Sequence, residues 1–404
     1  MTTQTPPKPS LKMNIIGDAF VDIYCYLSPN QSLPTLGGDS RLSQPIHSVA
    51  GGSALNTCTH YQALAEEEVK VELQTVMNEE DDYGKVLLNH VQKYGFQLIN
   101  CHPQQQQQQQ QHADKESSTG HCVVIVCNNE RSFMTHLGCV GKFHASHLQV
   151  DKLISSRPPQ QLLQPSVPEC NHHHHVHVHV AGYYNIPGFW NGALEQVFVK
   201  VKQQRQSMQD GNATTTTISL VPQHDATEEW DGDLLQLLQY VDFLILNELE
   251  AFSIVSTHLK EEEDDSFQQW KERHNNPNAN NEPTNDLFVT MATFFQSYNP
   301  QMYIIVTRGP KGAISLNNGS ILHTQNAVQQ EDIVDPTGAG DAFAAGFLHG
   351  LFLDWKNGER ECWKKAVKQG LKWGCAVGTS CVLRQGASNP SSREEIELLL
   401  SSSS

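Results

Sequence analysis

Asp335-Pro336-Thr337-Gly338-Ala339-Gly340-Asp341-Ala342-Phe343 follows an apolar pair, Ile333 and Val334, and runs into the helix-forming Ala344-Ala345-Gly346-Phe347-Leu348. A turn of small residues that opens a helix leaves several backbone N–H groups without carbonyl partners. The helix dipole adds partial positive charge there, so the stretch reads as an anion site. Gly338 and Gly340 have no side chains, which lets a phosphate come close to the backbone. Asp341 stands at the mouth of that site. A carboxylate beside a phosphate makes sense if it takes a proton from a hydroxyl that attacks the phosphate. Read in isolation, the segment is more simply a glycine-rich helix start with Asp341 as a dipole partner; motifs elsewhere reverse that balance. Two other phosphate motifs are excluded. Phe343 stands where a dinucleotide fingerprint needs its third glycine, and no Gly-x4-Gly-Lys-Ser/Thr occurs.

Working outward, residues 13–17, 71–77, 176–180, 217–221, 242–246 and 303–307 read as strands. Helix-forming stretches near 85–94, 191–202, 231–240, 287–297 and 361–378 separate or follow them. This alternation predicts an α/β fold, a doubly wound, mostly parallel sheet flanked by helices. Two β-rich patches near 23–50 and 96–135 break the rhythm and are expected to form a small β-sheet lid over the carboxyl edge. One domain is expected over residues 13–395, with tails at 1–12 and 396–404. Insertions near 103–119, 157–175, 203–213 and 258–286 are expected to be disordered surface loops. The first carries the run Gln104 to Gln111, and the second ends in His172-His173-His174-His175. Imidazoles can bind a metal, but a compositional run has no ligand geometry. An insertion feeding the strand at 176–180 is the stronger reading.

With 27 basic and 44 acidic residues the net charge is −17, which argues against nucleic acid or an anionic membrane as the main partner. Ten cysteines lie at scattered spacings without a Cys-x-x-Cys pair, as expected for buried free thiols in a reducing compartment. The polar N-terminus shows no signal peptide and no apolar run approaches membrane-spanning length. A cytoplasmic protein is expected.

Asp18 and Asp22 follow the first strand, where open α/β sheets place their ligands, although Asp18 serves equally as a helix cap. Gly51-Gly52-Ser53-Ala54-Leu55-Asn56 opens a helix in which the double glycine permits close approach and Asn56 presents an amide. Asn247 and Glu250, at the end of strand 242–246, suit a metal–water cluster near phosphates. They suit a capping box equally well. Arg308-Gly309-Pro310-Lys311-Gly312 turns between two strands, a hairpin edge against which a nucleotide can lie.

Together these motifs resemble the ribokinase-like, or PfkB, family of carbohydrate and nucleoside kinases. The resemblance rests on Gly51-Gly52-Ser53-x-x-Asn56, Asp81-x-x-Gly84, Asn247-x-x-Glu250, Thr307-x-Gly309-x-x-Gly312 and the stretch from Asp335 to Asp341, in the family's order. It implies Asp341 as catalytic base and the amides of Gly338, Ala339 and Gly340 as the anion hole. Thr307, Gly309 and Gly312 would line the ATP pocket, and Asn247 and Glu250 would organise Mg²⁺ through water. Asp22, Gly51, Gly52 and Asn56, with Asp18, would hold the acceptor. Many members bind a monovalent cation, K⁺ included; Asp335 and Thr337, with Cys381, Arg384 and Gly386, match that region loosely. Pro336 departs from the usual threonine and removes one N–H, and Asp18 stands where asparagine or glutamate is common.

The activity so implied is ATP-dependent phosphorylation of a sugar hydroxyl, ribokinase- or fructokinase-like. An adenosine or nucleoside kinase is the alternative, for which Phe20, Tyr24 and Phe133 are candidates for an aromatic wall. A catalytically silent binding module is the further alternative, against which the intact Asp341 and anion turn argue. The expected partner is a small-molecule sugar or nucleoside, with a homodimer through the lid edge.

Overall fold

In the computed structural model, which describes residues 10–28, 31, 33–65, 69–102, 117–127, 130–154, 174–207, 214–259, 266–267, 270, 283–330, 332–353 and 363–402, the chain builds two sheets. The strands are β1 (Ser10–Gly17), β2 (Phe20–Tyr26), β3 (His47–Gly51), β4 (Lys70–Thr75), β5 (Gln97–Asn100), β6 (His121–Cys127) and β7 (Glu130–His136). They continue with β8 (His174–Ala181), β9 (Thr214–Val221), β10 (Phe243–Asn247), β11 (Tyr303–Thr307), β12 (Ala313–Asn317) and β13 (Ser320–Gln325). The longer helices are α1 (Ser53–Leu64), α2 (Asp82–Tyr94), α3 (Ala193–Ser207) and α4 (Glu248–His258). After them come α5 (Asn285–Gln296), α6 (Ala339–Phe352), α7 (Trp363–Val382) and α8 (Arg393–Ser402).

The nine-stranded sheet runs β13-β12-β11-β10-β9-β8-β1-β4-β5. It is parallel from β5 through β11, and β12 and β13 add an antiparallel edge. β10 and β11 are buried on both faces, which is why they read as continuous apolar runs. Met13 and Ile15 of β1 pack with α1 and with Phe343 and Phe347 of α6. Ile16 faces the other layer, with Phe198 of α3, Phe252 of α4 and Phe288 of α5. The order reverses between β1 and β8, so a crevice opens at their carboxyl ends, where doubly wound sheets bind ligands.

The small sheet has the order β3-β2-β6-β7, with β2 and β6 parallel, and lies at that same edge as the expected lid. Its extent is corrected at one end: β5, within the patch 96–135, pairs with β4 and completes the main sheet. Only β6 and β7 of that patch enter the lid. Asp81 ties the two layers. Its carboxylate accepts from the Gly84 amide at 2.5 Å, capping α2, and from the Thr119 amide at 2.7 Å, just ahead of β6.

Other boundaries also move. Pairing with β4 and β8 carries β1 back to Ser10, inside the expected tail. The glutamine run lies outside the described residues, as do His172 and His173, whereas His174 and His175 already belong to β8. Most of 258–286 is undescribed too, yet Phe267 and Trp270 are buried against Phe252, with ring centroids 5.5 and 4.6 Å away. That insertion therefore contributes to the core. The supposed tail from 396 is the body of α8, whose Ile396 and Leu400 pack with Leu64, Ala342 and Trp373. Both departures have one cause: isolated apolar residues in a polar stretch show their burial only once a partner surface exists.

Candidate active site

α6 starts where expected. Gly338 is its N-cap at φ 76°, a left-handed conformation that suits glycine. A side chain there would meet Ala387, Cβ to Cβ at 2.5 Å. The turn is closed by the Ala339 amide donating to the Pro336 carbonyl at 3.2 Å. Ala339 thus drops out of the expected anion hole. The amides of Gly338 and Gly340 donate to no backbone carbonyl among the described residues. Gly340 has nothing within 4 Å of the place a Cβ would take, so the helix mouth is open.

Asp341, one residue further, is 6% exposed and held from three sides. Its Oδ1 accepts from the Ser53 hydroxyl at 2.6 Å and from Gln223 Nε2 at 3.3 Å, and its Oδ2 from Asn56 Nδ2 at 2.8 Å. Asn56 in turn accepts from the Ser388 hydroxyl. No cation pairs with Asp341 among the described residues. Burial pushes its carboxyl up to about 7, against the three hydrogen bonds and with help from the Asp18 charge. It is therefore poised between base and acid near neutral pH.

The acceptor side is partly reassigned. Asp18 is wholly buried; its Oδ1 accepts from the Ala54 amide at 3.2 Å and its Oδ2 from Asn185 Nδ2 at 2.6 Å. It braces the start of α1 and the end of β8 and is closed to an acceptor in this arrangement. Asn56 likewise serves Asp341. The double glycine is required by the protein itself: a Cβ on Gly51 would lie 2.2 Å from Asp22 Oδ2, and one on Gly52 2.7 Å from Ala19 Cα. Asp22 lies on the lid strand β2, opposite Val49 of β3. Burial and then the charges of Asp18, Asp341 and Asp335 raise it to about 7.

Thr307, Gly309, Gly312, Ala339 and Gly340 all line one cavity of about 260 Å³, between the β11–β12 turn, the start of α6 and the C-terminal end of α7. Phe343 and Thr379 line it as well. The nucleotide residues read from sequence thus share one wall with the anion turn. Asn247 and Glu250 form the capping box of α4: the Glu250 amide donates to Asn247 Oδ1 at 2.8 Å and the Asn247 amide to Glu250 Oε2 at 3.0 Å. Burial, then the Asp341 charge, raises Glu250 to about 7. Oxygen donors bearing repelling charge fit a hard divalent cation reached through water. Among the described residues no group of three His, Cys, Asp or Glu side chains could hold a metal ion directly.

At the monovalent-cation region, Asp335 Oδ1 accepts from the Thr337 amide and Oδ2 from the Gly386 amide, both at 3.0 Å. The Cys381 thiol donates to the Thr337 carbonyl at 3.5 Å. Arg384 is turned away, donating to Glu395 at 2.8 Å. Asp335 instead pairs with Arg131 of β7 at 2.9 Å, so a guanidinium already neutralises the carboxylate a free ion would need. The aromatic trio does not form one wall. Phe20 packs in the main core, Tyr24 in the lid's own cluster, and Phe133 is 56% exposed. Sequence reading missed Ser53, Asn185, Gln223 and Arg131. Ser53 lay inside a quoted motif. Gln223, held at φ 68°, signalled only by following the buried strand β9.

The chain belongs to the pfkB family of carbohydrate kinases, whose model matches residues 14–394. A ribokinase of Dictyostelium discoideum is 25% identical over 189 residues, 46% of this chain and 51% of that one. An adenosine kinase of Schizophyllum commune is 25% identical over 244 residues, 59% of this chain and 58% of that one. The chain spans about half the length of the curated relatives it matches. Among solved structures, the ribokinase of Giardia lamblia superposes with a TM-score of 0.71 at 16% identity, covering 98% of this chain and 100% of that one. An Arabidopsis thaliana ribokinase complexed with ribose and ATP gives 0.59 at 18% identity, covering 98% and 99%. These likenesses speak for the fold.

Proposed function

We propose that the protein transfers a phosphoryl group from ATP to a hydroxyl of a sugar, with Asp341 as general base. The observation that carries this reading is the setting of Asp341. It is a buried carboxylate with no cationic partner among the described residues, adjoining the open amides of α6 on one side and Asp22 of the lid on the other. Ser53, Asn56 and Gln223 fix its orientation. Its ionised form accepts the hydroxyl proton as the acceptor oxygen attacks, and the amides at Gly338 and Gly340 steady the moving group's charge. ATP with Mg²⁺, when bound, supplies that group and spreads its negative charge. Glu250 and Asn247 would hold the Mg²⁺ waters. The lid strands would exclude bulk water from the acceptor. No K⁺ is assigned, because Arg131 fills its electrostatic role.

The adenosine kinase likeness makes nucleosides the second class of acceptor. No helix among the described residues is long and apolar enough to cross a membrane. The reading also takes the lid's outer strands as the edge through which two copies pair. The test is a panel of ribose, fructose and adenosine with ATP–Mg²⁺, following ADP and phosphorylated product, for wild type and Asp341→Asn. One acceptor class should be turned over, and the variant should lose about 10²–10⁴ in kcat while ADP affinity is kept. A variant with near-normal kcat would remove Asp341 from the chemistry.

A further inference from the structure

Arg131 reaches from the edge strand of the lid to Asp335, three residues before the anion turn's glycine cap, Gly338. The pair is secluded, with side chains 13% and 3% exposed, so solvent screens it little. Asp335 is also the clamp of the turn, since its two oxygens hold the Thr337 and Gly386 amides. The charge on Arg131 therefore bears on the backbone that presents Gly338 and Gly340. Beside it Thr337 Oγ1 is buried and faces the hydroxyl of Tyr24 on the lid strand β2.

We propose that Arg131 is a positioning residue that acts as a built-in cation: it neutralises Asp335, sets the anion turn, and makes the protein independent of monovalent ions. The proposal rests on the kinase reading above. It also ties turn geometry to the lid, because the guanidinium reaches Asp335 only when β7 lies over the site. Without the guanidinium, the Asp335 carboxylate and the buried Thr337 hydroxyl are hard oxygen ligands for an ion such as K⁺.

The experiment measures ADP formation and melting temperature for wild type, Arg131→Met and Arg131→Lys in K⁺, Na⁺ and tetramethylammonium buffers of equal ionic strength. Wild type should vary less than about twofold among the three and melt at one temperature. Arg131→Met should lose at least about tenfold without K⁺, in line with a slightly misplaced turn. It should regain rate and melting temperature with K⁺, while Arg131→Lys keeps most of the rate. A merely structural arginine would give a defect that K⁺ does not relieve. Activation of wild type several-fold by K⁺, or an ion-insensitive Arg131→Met at full rate, overturns the proposal. Should Arg131→Met fail to fold, the wild-type ion series decides alone. Should wild type phosphorylate nothing, the kinase reading fails, and the K⁺-dependent melting shift still judges Arg131.

Discussion

Replacing Gly340 by alanine separates what the anion turn does for stability from what it does for function. The methyl group would find no heavy atom within 4 Å, and the residue lies in the first turn of α6 without a left-handed backbone. Alanine is the better helix former by up to about 1 kcal/mol, less in a first turn. The melting temperature should therefore hold or rise by about a degree or two. The same methyl projects at the mouth of the 260 Å³ cavity that Gly340 lines. A phosphate oxygen bonded to this backbone sits about 2.9 Å from the amide nitrogen. Moving it outward by about 1 Å costs on the order of 10²-fold in rate. The assay pairs calorimetric melting with kcat/KM for ATP. Gly338→Ala is the contrasting control: its Cβ would meet Ala387 at 2.5 Å and φ is 76°. Strain and overlap should cost about 2–4 kcal/mol. If Gly340→Ala keeps kcat/KM within about threefold while folding normally, the phosphate does not sit on this turn and the reasoning fails.

The remaining expectations concern pH and the C-terminus. With Asp341 raised to about 7, kcat/KM should fall about tenfold per unit below pH 7 and level off above it. The same residue opposes folding as it ionises, because its raised value means the folded state holds a proton the unfolded chain has released between about pH 4 and 7. The melting temperature of Asp341→Asn minus that of wild type should thus grow as pH rises through that window. Taking the difference cancels buried histidines such as His60 and His179, whose lowered values push the other way. A flat difference would show that Asp341 carries no burial penalty. Ile396→Ala removes a side chain 1% exposed and should cost about 2–4 kcal/mol in denaturant melts, whereas a true tail residue would cost nothing measurable.

Local chemistry made most of the frame legible before any fold was known. Continuous apolar strands such as β10 announce burial on both faces, and Gly338-Ala339-Gly340-Asp341 announces an amide-lined helix start whatever surrounds it. The hairpin turn at Gly309 and Gly312, and the capping pair Asn247 and Glu250, are likewise short-range features written in adjacent residues. Tertiary structure alone decided who faces whom. It set Asn56 on Asp341, placed Asp18 between Ala54 and Asn185, and moved β5 from lid to main sheet. It buried Ile396 and set Arg131 on Asp335 across more than two hundred residues of chain. The physical reason is range. Turn, cap and strand preferences act between neighbours along the chain, while desolvation and charge pairing depend on surfaces that meet only after the sheet has closed.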